Sequence, residues 1–175
     1  MTDPIVLRDW QSFYLLTGTG AATLIGLIFV AFSLGARLVT PQRIRSINAF
    51  VTPSVIHFAA VLILSMLSLV PTLTWQSLGV ALTLVGLAGI LHCASVAREM
   101  GLHQQEQQNA LDTHHWLWHL LLPGACYILV FSTGLGLLAG LDWFVDLLAL
   151  AVTGLIIVAL RNTFDLTMWI AQQTA

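Results

Sequence analysis

The chain has 175 residues, 58% of them hydrophobic and 8% charged, with a mean hydropathy of +0.89. Soluble domains carry roughly 25% charged residues, so a soluble monomer is excluded. The formal charge of -2 comes from 6 basic and 8 acidic side chains, and every basic residue is arginine. No lysine-rich face exists to hold phosphate backbones, which excludes nucleic-acid binding and leaves a small protein whose first partner is the lipid bilayer.

A helix can cross hydrocarbon because it satisfies its own backbone, and it needs roughly 20 apolar residues at about 1.5 Å each. Five stretches meet or approach that length: residues 13–36, 47–70, 77–97, 116–141 and 143–160. The expected fold is all-α, a single polytopic transmembrane domain built as a bundle of five helices. The first stretch follows MTDPIVLRDW and is far longer than the ~7 to 15 apolar residues of a cleavable signal, so it is expected to stay in the mature protein. Pro123-Gly124 predicts a kink in the fourth span, since proline lacks a donor and clashes with the preceding turn. Gly140 suits a helix stop, and Asp142 and Asp146 suit the start of the fifth span, which predicts a tight hairpin there.

Outside the spans little chain remains. Residues 98–115 carry Glu99, Glu106, Asp112 and the run QQEQQ, and read as a solvated cytoplasmic loop or short surface helix. Residues 161–175 form a cytoplasmic tail that either continues the fifth span or lies in the interface. Arg37, Arg43, Arg45, Arg98 and Arg161 fall on one side and Arg8 alone on the other. By the positive-inside tendency the N-terminus is outside and the C-terminus cytoplasmic. Tryptophans agree, with Trp10, Trp75 and Trp143 at the outer edge and Trp116, Trp118 and Trp169 at the inner edge. Cys93 and Cys126 lie inside spans and read as small apolar packers, not as a disulfide framework.

Lipid offers no hydrophobic drive for helices to associate, so close approach at small residues must serve. Gly18, Ala22 and Gly26, extended by Ser33, form one such stripe, and Ser132, Gly136 and Gly140 form another. Gly79, Gly86 and Gly89 in the third span are less regularly spaced. These stripes suit packing within one bundle or a subunit interface.

Polar side chains inside the membrane are costly and are the first place to look for function. In the second span Ser54, His57, Ser65 and Ser68 share an arc of about 80°. Such a face can line a pore, with His57 as a proton-responsive group, or it can be satisfied by its own backbone and a neighbouring helix. A lone bundle of five short helices has no room for a water-filled route, so a pore implies a homo-oligomer. The remaining histidines gather toward the cytoplasmic side. His92, His115 and His119 could present three nitrogens to a metal, although headgroup-level histidines among tryptophans are the plainer reading. A haem needs two histidines facing each other, and His57 is expected at a different depth from His92 and His119. No cofactor is therefore expected. No G-x-S-x-G, H-E-x-x-H, P-loop or dinucleotide fingerprint occurs, so no enzymatic activity is expected either.

The string GTGAATLIGLIFVAFSL at residues 18–34, preceded by the W-x-x-F-Y of Trp10, Phe13 and Tyr14, resembles the opening of small bacterial inner-membrane proteins of the type called modulators of FtsH protease. The similarity continues loosely through Pro71 and through Arg161-Asn162. It implies a bacterial cytoplasmic membrane and a regulatory role on a membrane protease, and brings no catalytic motif with it. The expected function is a homo-oligomeric ion channel or pore lined by the polar face of span two, because the aligned Ser54, His57, Ser65 and Ser68 give it a physical motive; the alternative is a non-enzymatic regulatory or scaffolding partner of another membrane protein. A metal- or haem-binding membrane protein is a distant third. A polar face turned to a symmetry axis favours the pore, and one buried within a subunit against span one favours the partner.

Overall fold

A computed structural model describes residues 9–35, 41–107, 117–141 and 143–174, with side chains at 9–31, 33, 54–98, 117, 118, 120–141 and 143–164. The described chain is helical throughout apart from short turns. We number the helices α1 (Gln11–Gly35), α2 (Pro41–Leu69), α3 (Trp75–Gln107), α4 (Leu122–Leu138) and α5 (Phe144–Thr174). Three stretches are long and apolar enough to cross a membrane: Gln11–Ala31, Trp75–Arg98 and Phe144–Phe164. Ser54–Leu69 in α2 and all of α4 are apolar but shorter. Large apolar side chains are exposed on every helix, among them Leu16 and Phe29, Met66, Leu84 and Leu91, Leu135, Leu150 and Ile157. An exterior of this kind suits lipid, not water.

The helix ends follow from local chemistry. Pro41 opens α2, where a missing N–H costs nothing. Thr74 caps α3: its Oγ1 accepts from the Ser77 N–H at 3.2 Å, and the Ser77 hydroxyl donates back to the Thr74 carbonyl at 3.0 Å. Gly140, at φ 78°, ends α4 in the left-handed region that favours glycine. Around it the Leu141 N–H donates to the Gly136 carbonyl and the Gly140 N–H to the Leu137 carbonyl, at 2.9 and 3.1 Å, which is a Schellman stop. Asp146 sits in the first turn of α5 as expected, while Asp142 lies outside the described residues.

Two elements differ from the sequence reading, and the tail takes one of the two courses that reading left open. The chain after Ala97 does not leave the helix: α3 continues to Gln107, because Glu and Gln are good helix formers and the one breaker, Gly101, is too weak to stop it. Residues 108–116 lie outside the described residues. The tail continues α5 as one helix to Thr174. Ahead of Pro123 the chain forms a π-helical turn at Leu117–Leu121, and the proline falls in the first turn of α4. The widened turn accommodates a residue that would otherwise clash with the turn before it.

The helices are not arranged as a simple meander. α1 pairs with α2 and α3 with α4, each as an antiparallel hairpin, and α5 packs against both α2 and α4. α5 is the central helix: 44% of its apolar stretch is buried, against 17% in α1 and 22% in α3. Successive helices alternate in direction, so one end of the bundle holds the turns at 70–74 and 139–141, and the other holds Arg161. Trp10, Trp75 and Trp143 stand at the turn end, where α1, α3 and α5 begin. At the opposite end the Arg161 guanidinium lies 4.9 Å from the Trp118 ring centre. Trp116 and Trp169 are not among the described side chains.

Close approach at glycine is concentrated where the sequence spacing is least regular. A side chain at Gly86 would strike the Phe131 backbone, and one at Gly89 the Tyr127 ring, so α3 and α4 meet nearly backbone to backbone. The two regular stripes are split. Gly18 is buried, its place for a Cβ lying 2.9 Å from that of Ser65, whereas Ala22 is exposed and Gly26 borders open space. Residues four apart drift by about 40° on a helix, which carries Gly26 out of the α1–α2 contact. In α4, Gly136 receives the Phe144 ring and Ser132 is half-buried, while Gly140 is the helix stop and packs against nothing.

Candidate functional site

All four residues of the polar arc of α2 are turned into the bundle: Ser54, His57, Ser65 and Ser68 are 1%, 2%, 1% and 7% exposed. They fall into two centres. Toward the turn end, Ser65 shares a 3.1 Å hydrogen bond with Thr17 of α1, and Thr17 also donates to the Phe13 carbonyl at 3.0 Å. Ser68 donates to the Leu64 carbonyl of its own helix at 2.8 Å. The Tyr14 hydroxyl is fully buried beside this centre with no hydrogen-bond partner among the described residues, and Ser68 and Asp146 are in its electrostatic neighbourhood.

The second centre lies deeper. His57 Nδ1 and the Tyr127 hydroxyl of α4 are 2.9 Å apart, both residues being buried, and form one hydrogen bond whichever tautomer the ring adopts. The His92 ring of α3 stands 6.4 Å from that of His57, centre to centre, at an interplanar angle of 74°. His92 Nε2 is buried and has no hydrogen-bond partner among the described residues. Cys93 and Cys126, both free and buried, are within electrostatic range of Tyr127. Gly154 of α5 leaves room for the Cys126 thiol.

Between the centres stand Phe58, Val61 and Leu64, each wholly buried. The eight residues from His57 to Ser65 rise about 12 Å, so an apolar plug of that height separates one polar group from the next.

The meeting of His57 with His92 corrects the expectation that they lie at different depths. His57 stands about 18 Å along α2 from Leu69, and His92 about 26 Å along α3 from Trp75. Helical side chains lean toward the N-terminus of their own helix. His57 therefore leans away from the turn end and His92 toward it, and the two rings converge across the offset. Tyr127, which holds the centre together, is missing from the sequence reading. Its signal was available: a tyrosine in an apolar span needs a partner for its hydroxyl.

Of the three histidines considered for a metal, only His92 has a described side chain; His115 lies outside the described residues and the His119 side chain is not among them. Among the described residues no three His, Cys, Asp or Glu side chains converge to hold a metal ion. A further polar group, Asn162 of α5, is 2% exposed, with neither amide atom partnered among the described residues. Searches against protein-family models, curated proteins and solved structures find no match for this chain.

Proposed function

We propose that the chain is a five-span protein of the bacterial cytoplasmic membrane, N-terminus outside and C-terminus in the cytoplasm, that acts without catalysis as a regulatory or scaffolding partner of another membrane protein. The carrying observation is the inward turn of the polar arc. Ser65 is covered by Thr17 and Gly18 of α1, His57 by Tyr127 of α4, and Phe58, Val61 and Leu64 interrupt the arc between them. Side chains that a conduit would offer to water are spent on joining helices of one chain. Activity is then exercised through the lateral surface.

Two further features support this reading. α1 is the least covered helix and exposes Thr19, Ala22, Thr23 and Gly26 away from α2, a surface of small residues that lets another helix approach closely. The GTGAATLIGLIFVAFSL resemblance to modulators of FtsH protease lies on this same helix.

The test is co-reconstitution with FtsH in proteoliposomes, reading the degradation rate of a membrane substrate. The rate should change when the protein is present, and planar bilayers containing the protein alone should stay electrically silent. An unchanged rate together with ionic currents would overturn the reading.

A further inference from the structure

The flank built by α3, α4 and α5 lies apart from α1, which packs on α2, and it ends in two arginines. We propose that Arg98 of α3 and Arg161 of α5 together hold the phosphate of an anionic phospholipid, whose acyl chains lie along the outer faces of α3 and α4.

The two arginines stand at one height. α3 and α4 are antiparallel, with Gly89 set against the Tyr127 ring. Nine residues on from Gly89 and nine back from Tyr127, Arg98 comes level with Trp118. α4 and α5 are antiparallel too, Gly154 meeting the Cys126 thiol, and here the level is observed directly: the Arg161 guanidinium lies 4.9 Å from the Trp118 ring centre. The π-helical turn at Leu117–Leu121 therefore has one arginine on each side. Arg98 closes the apolar stretch of α3, and Arg161 stands three residues before the close of that of α5. That is the depth of lipid headgroups, where tryptophan also collects.

The chemistry of the pair suits phosphate. Each guanidinium offers five N–H donors in a planar fork, so the Trp118 contact, and any other within the chain, leaves donors to meet oxygen acceptors. Arg98 is exposed and Arg161 half-buried, which opens the site to lipid from the side. Among the described side chains the carboxylates are Asp9 and Asp146, both at the turn end, so the described charge at this end is positive. A choline headgroup brings its own cation to two others, whereas an anionic headgroup does not.

The surface below the arginines is shaped for the chains. Leu84, Leu87 and Leu91 share one face of α3 with Arg98, at intervals of three, four and seven residues, and are 62%, 43% and 61% exposed. Leu121 and Ile128 of the neighbouring helix, seven apart, are 59% and 54% exposed. These ridges run from the arginines toward the middle of the membrane, and they commit the site to a lipid in preference to a free anion.

The experiment reconstitutes the full-length protein in vesicles of equal parts phosphatidylglycerol and phosphatidylcholine with matched chains, extracts it in mild detergent, and counts the retained lipids by native mass spectrometry. The wild type should keep phosphatidylglycerol in preference, and Arg98→Gln and Arg161→Gln should each lower that preference about 5-fold. Excess inorganic phosphate should leave the retained lipid in place. Arg98 is an exposed position, so Arg98→Gln keeps the test valid if Arg161→Gln does not fold. Equal retention of the two lipids by the wild type, or a preference unchanged in Arg98→Gln, would overturn the proposal. Displacement of the lipid by inorganic phosphate would overturn it as well, since a free anion would then be the ligand.

Discussion

The Tyr127 hydroxyl lies 2.9 Å from His57 Nδ1, and this one hydrogen bond joins α2 to α4, two helices separated in sequence by the whole of α3. Nothing in the chain between them requires that meeting. Removing the hydroxyl tests its contribution. Tyr127→Phe keeps the ring that fills the space beside Gly89, and should destabilise the bundle by about 0.6 kcal/mol, the mean for interhelical hydrogen bonds in membranes, and at most about 1.7. Equilibrium unfolding in mixed detergent micelles reads the difference.

The contact between α3 and α4 should be the least tolerant part of the bundle. Gly86→Ala drives a methyl into the Phe131 backbone, which cannot turn aside, and should cost about 1–3 kcal/mol. Gly26→Ala, with open space around it, should stay within about 0.5 kcal/mol of wild type. Similar losses at both positions in the same unfolding assay would mean that α1 is covered on both sides.

Ser65→Ala should be mild. Thr17 loses its partner across the α1–α2 contact but keeps the Phe13 carbonyl, so no polar group is orphaned. Ser65→Leu is the contrasting case, because Gly18 leaves no room for a larger side chain opposite it. The melting temperature should hold for the alanine variant and fall clearly for the leucine one.

At the far end of the bundle, Arg161→Gln removes the cation over Trp118, an interaction of about 0.5–2 kcal/mol between two half-buried side chains. The loss should be accompanied by a change in Trp118 fluorescence, read against a Trp118→Phe reference. A destabilisation without that change would place the role of Arg161 elsewhere.

Much of the fold is legible in the sequence because it is written in short-range terms. Apolar length marks the helices, Gly140 marks a stop, and the spacing of Ser54, His57, Ser65 and Ser68 puts them on one face. What periodicity cannot say is which helix covers a face. That α5 inserts between α2 and α4, that Thr17 meets Ser65, and that His57 meets Tyr127 and His92 are all matters of tertiary arrangement. Regular spacing even misleads: Gly18, Ala22 and Gly26 look like one stripe but split between contact and exterior. Gly79, Gly86 and Gly89, less regular to the eye, make the closer approach. The continuation of α3 to Gln107 is hidden for another reason, since a polar composition says where water is, not where a helix ends.

The central claim is that the polar arc of α2 is sealed inside one chain. In a Cys93→Ser/Cys126→Ser background, Ser54→Cys, Ser65→Cys and Ser68→Cys are exposed in intact membranes to a small water-soluble thiol reagent and then again after denaturation in SDS. All three should resist modification in the folded protein and react fully once unfolded. Rapid native labelling at these positions would mean that water reaches the arc, and would contradict the account.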